Sequence, residues 1–95
     1  MNRYQVTVVA SYPVETDVPR LMAEVSRDPN WETSALDWTI ETSVMIPPLR
    51  KTLKVEYEVE GRDETEAEQF ALAIFERERQ QVSLPAPETV VANAD

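Results

Sequence analysis

The chain has 95 residues, 42% of them apolar, which suits one domain with one modest hydrophobic core. Its formal net charge of -9 argues against direct binding to nucleic acid or to an anionic membrane, because both would repel it. It has neither cysteine nor histidine, which excludes disulfides, thiolate chemistry, the Ser-His and Cys-His nucleophile pairs and the commonest zinc ligands.

The N-terminal residues indicate no export or membrane insertion. Residues 1–13 alternate in polarity, so no signal peptide is expected, and no run approaches the roughly 20 apolar residues of a membrane span. The excess of arginine over lysine is typical of a high-GC bacterial genome or one of its phages. We therefore expect a cytoplasmic protein, in the host cytoplasm for a phage protein.

The first predicted elements are a half-buried strand and an amphipathic helix. Residues 3–12 alternate in polarity as a strand does, and Pro13 is expected to interrupt them. Residues 15–29 then carry apolar side chains at helical spacing, with Thr16 or Asp17 as the N-cap. The Asp-Pro pair at the end of this run terminates the helix.

Two further alternating runs predict a β-hairpin. Residues 33–46 place Leu36 and Trp38 on the inward face. Residues 52–60 alternate most regularly, with Tyr57 inward and three glutamates outward. The connection between the runs contains two prolines and is longer than a two-residue turn.

A second helix follows Gly61, the only glycine, where we expect a backbone conformation barred to other residues. Asp63 and Glu66 have the spacing of a capping box, and the helix should run to about Gln80. Its predicted apolar stripe consists of Ala67, Phe70, Ala71 and Ile74.

The order of elements predicts the fold. Residues 1–82 form one α+β domain, and residues 83–95 are either a loose tail or contain a short edge strand at residues 88–92. With that strand the order is βαββαβ, and each helix is apolar on one side only. The simplest architecture is one antiparallel sheet covered on one face by two helices, the ferredoxin-like sandwich. This fold carries little functional information.

A dense acidic cluster occupies the third strand and the start of the second helix. One interpretation is that the carboxylates only solvate the strand and cap the helix. The other is that they present a negative field to a basic partner, or imitate nucleic-acid phosphates, although Arg3 and Lys54 should share the strand's outer face and break the pattern. The predicted partner-binding residues are Glu56, Glu58, Glu60, Asp63, Glu64 and Glu66.

These carboxylates do not predict catalysis or metal binding. Residues two apart on a strand are about 6.6–6.8 Å apart, a separation that suits glycoside hydrolysis, but an open face neither raises a pKa nor excludes water. The acids from Asp63 to Glu68 lack the spacing of an EF-hand. The aromatic residues Trp38 and Tyr57 point inward, unlike those of RNA-binding sheets. We predict no catalytic residue, no cofactor and no metal.

The hairpin connection is a second candidate surface. It is apolar, proline-stiffened and basic on an acidic domain, and a rigid loop loses less entropy on binding. The alternative is that its apolar residues fold back onto the core. A basic tip and an acidic face are also complementary, which permits head-to-tail self-association. The candidate residues are Met45, Leu49, Arg50 and Lys51.

Three further residues have two interpretations each. Leu72 lies off the apolar stripe and Phe75 at its edge, so they form either a dimer contact or scattered exposed positions. Trp31 is expected in the core rather than as an exposed anchor.

Together these features predict a non-catalytic acidic module that binds another protein with a basic surface. No direct nucleic-acid or membrane binding is expected. The alternatives are a self-assembling, homo-oligomeric accessory subunit and a regulatory domain for a small ligand or a divalent cation.

Overall fold

The computed structural model describes residues 2–13, 15–27, 29, 32–43 and 50–94. The four strands form one antiparallel sheet in the order β2-β3-β1-β4. The predicted α+β ferredoxin-like fold is confirmed, and the C-terminal residues contain a strand. The elements are β1 (Asn2–Pro13), α1 (Val18–Arg27), β2 (Asp37–Ser43), β3 (Arg50–Gly61), α2 (Glu64–Gln81) and β4 (Thr89–Ala94).

The sheet is organised around the central pair β1 and β3, which align from Asn2↔Gly61 to Pro13↔Arg50. Because side chains alternate across a strand, one face of this pair is apolar and the other polar. The apolar face packs against the helices, where burial of each large side chain contributes about 1.5–3 kcal/mol. Its fully or nearly fully buried residues are Val6, Val8, Ala10, Tyr12, Leu53, Val55, Tyr57 and Val59.

Two strand boundaries differ from the sequence prediction. Pro13 does not interrupt β1 but is its last residue. The pairing of β4 with β1 extends only to Ser11, so the N–H that Pro13 lacks is not needed for a hydrogen bond to β4. Leu36 was expected inward but lies just before β2 and is 57% exposed. Trp38 does pack against the core, with its ring centroid 6.3 Å from that of Phe75.

Helix α1 begins at the second of its two candidate caps. The Asp17 carboxylate accepts a hydrogen bond from the backbone N–H of Arg20 at 3.2 Å, which satisfies one of the free donors at the helix start. Val18 and Val25 are buried, and Val18 belongs to the main hydrophobic core. Trp31 lies outside the described residues.

The predicted apolar stripe of α2 was partly wrong. Phe70 is 44% exposed and Ile74 is only half-buried. Phe75 is buried, so it is not available as a dimer contact, and Leu72 packs half-buried against the core. The buried residues are spaced by four, four and three positions, because the helix is rotated relative to the predicted stripe. Its buried residues are Ala67, Ala71, Phe75 and Glu78.

Gly61 is needed for space rather than for an unusual backbone angle, contrary to the sequence prediction. The structure has no glycine with positive φ. A Cβ on Gly61 would lie 3.0 Å from the backbone nitrogen of Ala67 and 3.3 Å from the carbonyl oxygen of Asp63. The absence of a side chain therefore allows the end of β3 to approach the first turn of α2.

Helix α2 ends in a Schellman motif with Ser83 in the left-handed conformation, at φ 59. The N–H of Ser83 donates to the carbonyl of Gln80 at 3.2 Å, and that of Leu84 donates to the carbonyl of Arg79 at 3.0 Å. Leu84 is 2% exposed, so the motif also anchors an apolar side chain in the core.

Replacing Ser83 with glycine should stabilise the protein by about 1 kcal/mol, because glycine adopts positive φ without the steric cost of a Cβ. Urea denaturation followed by circular dichroism measures the change. Ser83→Ala serves as the control and should not stabilise, since it keeps the Cβ. A Ser83→Gly protein no more stable than the wild type contradicts this assignment.

Two buried tyrosines couple stability to high pH. Burial raises the pKa of Tyr12 to about 12, and its hydroxyl donates to the carbonyl of Pro85 at 2.9 Å. Burial, and then the charge of Glu78, raise the pKa of Tyr57 above its ordinary value of 10.0. Both phenols keep their protons in the folded protein at pH values where the unfolded chain loses them.

The free energy of unfolding should therefore fall as pH rises above 10. Each tyrosine contributes its full share to the free energy of unfolding below pH 10. That share falls as the pH rises from the unfolded-state pKa through the folded-state pKa, by up to about 1.4 kcal/mol per pH unit for each group. Urea midpoints at pH 9, 10 and 11 measure the slope. Tyr12→Phe should reduce it, and an equal slope in that variant would contradict the role of Tyr12.

Candidate functional site

The carboxylates of β3 lie on the outer face of the sheet, as predicted, but they are partnered. Arg3 forms ion pairs with Glu58 at 3.1 Å and with Glu60 at 3.5 Å. Gln5 donates to Glu56 at 3.2 Å. Two carboxylates share the single guanidinium of Arg3, so this part of the face keeps a reduced negative charge.

A second ion pair on the outer face involves Lys54. Its ammonium group lies 3.2 Å from the carboxylate of Glu41 on β2. Arg3 and Lys54 therefore share the outer face, as the alternation predicted, and they interrupt a phosphate-like array of negative charges.

The acids at the start of α2 have structural partners. Asp63 accepts from the N–H of Glu66 at 2.8 Å, as an N-cap does. Glu66 bonds the side chain of Arg62 at 2.7–2.8 Å and accepts from its backbone N–H at 3.2 Å. The Arg62 guanidinium lowers the pKa of Glu66 below its ordinary value. Glu64 is exposed in the first turn, where the helix dipole favours it.

The predicted hairpin tip is only partly within the described residues. Met45 and Leu49 lie outside them, and the backbone of Arg50 starts β3 opposite Ser43. Lys51 donates to the backbone carbonyl of Thr16 at 3.0 Å, so it holds the connection between β1 and α1.

A buried carboxylate that the sequence prediction missed lies beneath the start of β2. Glu78 on α2 is 4% exposed and accepts four hydrogen bonds, which together define the Glu78 cluster. Thr33 Oγ1 and Tyr57 Oη donate to Oε1 at 2.9 and 3.0 Å. The backbone N–H and hydroxyl of Ser34 donate to Oε2 at 2.8 and 3.1 Å. Trp38 Nε1 adds an outer bond to Thr33 Oγ1 at 3.3 Å.

This cluster determines where β2 begins. Thr33 and Ser34 are bonded to α2, so the chain joins β3 only at Asp37, opposite Glu56. The N–H of Leu36 makes the first contact with the strand, donating to the carbonyl of Glu56 at 2.7 Å. Among the described residues, no strand pairs with residues 57–61 on the side away from β1.

Within the described part of the chain, the edge of β3 at Glu58–Glu60 is therefore open. Backbone groups of an antiparallel strand point alternately to its two sides. The carbonyl of Glu56 faces β2, so the N–H and C=O groups of Glu58 and Glu60 face the same side, beyond the start of β2.

Two depressions border the open edge, one on each face of the sheet. The helix-side groove has a volume of about 320 Å³ and a mostly apolar lining, which also includes Glu60 and Arg77. The outer-face depression has a volume of about 340 Å³ and includes Arg3 and the exposed Leu36. The apolar residues of the helix-side groove are Val59, Phe70, Ala73 and Ile74.

Other kinds of site find less support among the described residues. A third cleft, of about 460 Å³, adjoins the Glu78 cluster and includes Glu32, Arg77 and Gln81. No group of three or more acidic side chains in the described part of the chain has a geometry that could hold a metal ion. No helix in that part is both long enough and apolar enough to cross a membrane.

Replacing Glu78 with alanine should lower the free energy of unfolding by about 2–4 kcal/mol, because it leaves the buried hydroxyl of Tyr57 without an acceptor and releases Thr33 and Ser34 from α2. Urea denaturation measures the loss. Glu64→Ala is the matched control on the same helix and should change stability by less than about 0.5 kcal/mol, since Glu64 is exposed. Equal losses in the two variants would show that the cluster does not stabilise the fold.

Comparison with known proteins assigns no family to the chain. No protein-family model matches it, and no curated protein or solved structure matches it significantly.

Proposed function

We propose that this protein is a non-catalytic interaction module that binds an extended segment of a basic partner protein along the open edge of β3. The observation that carries the proposal is the open edge at Glu58–Glu60, bordered by a depression on each face. Addition of a strand to an exposed sheet edge is a recurring mode of peptide recognition.

The backbone of the open edge supplies affinity without regard to sequence. Glu58 and Glu60 each present one N–H and one C=O group to an added strand. The pairing of β1 with Tyr57 and Val59 supports the edge from the other side. The edge therefore needs little reorganisation on binding, which reduces the entropic cost.

The two depressions supply selectivity, because side chains of an added strand alternate between the faces. Side chains opposite Val59 enter the helix-side groove, where Phe70 is 44% exposed, so apolar residues fit there. Side chains opposite Glu58 and Glu60 lie on the outer face, where Arg3 only partly compensates the two carboxylates. The partner segment should therefore alternate apolar and basic residues.

The net charge of -9 favours the same partner class. A basic partner is attracted over long distances, and the attraction weakens with salt. A second copy is a poorer occupant of this edge, because antiparallel pairing would bring the acidic positions 58 and 60 of two copies together. An enzyme is less well supported, since the chain has no histidine or cysteine and the outer-face carboxylates are paired with Arg3, Gln5 and Lys54.

The test is a selection from a displayed library of random heptapeptides. Peptides enriched on the wild-type protein should alternate apolar and basic residues and bind with micromolar affinity. Glu58→Pro removes an N–H that faces only the open edge, a position where a strand tolerates proline, and should weaken binding about tenfold or more.

The matched control is Glu58→Gln, which removes the same charge but keeps the N–H. It should weaken binding less than Glu58→Pro at moderate salt. Circular dichroism verifies that both variants fold. Peptides that bind the two variants equally well, or the absence of any enriched peptide, would refute binding at this edge.

A further inference from the structure

The four residues that precede β2 lie beside the open edge of β3 without pairing with it. They are residues 33–36, of sequence TSAL, which we call the strap. Two of them, Ser34 and Leu36, line the outer-face depression that borders the open edge. The N–H of Leu36 donates to the carbonyl of Glu56, and the chain joins the sheet just after this residue.

The alternation of β2 continues into the strap in the sequence but not in the structure. Leu36 and Trp38 are two residues apart, so in one continuous strand their side chains share a face. Trp38 packs against the core, whereas Leu36 is 57% exposed. An extension of β2 through the strap would turn Leu36 to the helix side of the sheet, beside Trp38.

The register of β2, continued backwards, places the strap on the open edge. Asp37 is the first paired residue of β2. In the same alignment Ala35 would lie opposite Glu58, and Thr33 would lie opposite Glu60. Four extended residues reach about 13 Å, which is long enough to cover this edge. The strap is uncharged, so this pairing brings no carboxylate opposite the glutamates of the edge.

The Glu78 cluster holds the strap away from the edge. Thr33 and Ser34 donate three of the four hydrogen bonds to Glu78, and an extension of β2 would break them. Pairing with the edge would instead make about four backbone hydrogen bonds and bury Leu36. The two positions of the strap therefore make similar numbers of hydrogen bonds, and the carboxylate of Glu78 favours the open one.

We infer that the strap is an autoinhibitory segment, which exchanges between Glu78 and the open edge of β3 and excludes the partner segment when it pairs with that edge. The inhibitory role rests on the proposed function, whereas the movement of the strap does not. Molecules with a paired strap cannot bind a partner segment at the edge. The apparent affinity for that segment is therefore reduced in proportion to the fraction of molecules that remain open.

Amide hydrogen exchange followed by NMR tests the movement without a partner. The reference is the N–H of Val59, which faces β1. Glu78→Leu removes the acceptor that holds the strap, so the two glutamate N–H groups of the open edge should exchange about tenfold more slowly relative to Val59 than in the wild type. A nuclear Overhauser contact between the α protons of Leu36 and Tyr57 should appear in the same variant.

Two further variants assign the protection to the strap. Thr33→Val combined with Ser34→Val removes two hydroxyl donors but keeps Glu78, so it should also slow exchange at the edge, even where Glu78→Leu does not fold. Adding Leu36→Ser to either variant should reduce this protection, because pairing then buries no apolar side chain. Exchange at the edge that stays as fast as in the wild type, or protection undiminished by Leu36→Ser, overturns the inference.

Peptide binding separates the inhibitory role from the proposed function. Peptides selected on the wild-type protein should bind Glu78→Leu about tenfold more weakly, because the strap then occupies their site. Equal peptide affinity in a variant whose edge is protected from exchange overturns the inhibitory role. Failure to enrich any peptide contradicts the proposed function and with it the inhibitory role, while the exchange measurements still decide whether the strap moves.

Discussion

The start of β2, and therefore the exposed part of β3, depends on the buried carboxylate of Glu78. This carboxylate accepts hydrogen bonds from two other parts of the fold, the connection before β2 and the inner face of β3. A buried carboxylate without donors would lower the stability of the fold. The hydrogen bonds to Glu78 therefore hold Thr33 and Ser34 to the helix rather than to the sheet. An apolar residue at position 78 would offer no acceptor to Thr33 and Ser34, so the connection would no longer be held away from the edge of β3.

Much of the fold follows from local patterns in the sequence. The regular alternation around Tyr57 predicts the central strand, and the acid spacing of Asp63 and Glu66 predicts the start of α2. The position of Glu78 was not anticipated because a glutamate in a run of charged residues is usually solvated. The helical spacing of the sequence does indicate that Glu78 faces the core, since Ala67, Ala71 and Glu78 share one side of α2.

The candidate site was less predictable than the fold for a physical reason. The outer-face positions of Glu58 and Glu60 follow from the alternation of side chains. Whether the backbone edge of β3 at these residues is paired depends instead on where β2 begins. That point is set by a contact between residues 34 and 78, far apart in the sequence. Similarly, the exposure of Phe70 depends on the rotation of α2 against the sheet, which an apolar stripe with several adjacent candidates does not determine.

The strand order β2-β3-β1-β4 separates the open edge of β3 from the free edge of β4 by the central pair. Occupation of either edge leaves the other accessible. A segment bound along β3 would therefore lengthen the sheet at one side while the β4 side stays exposed to solvent.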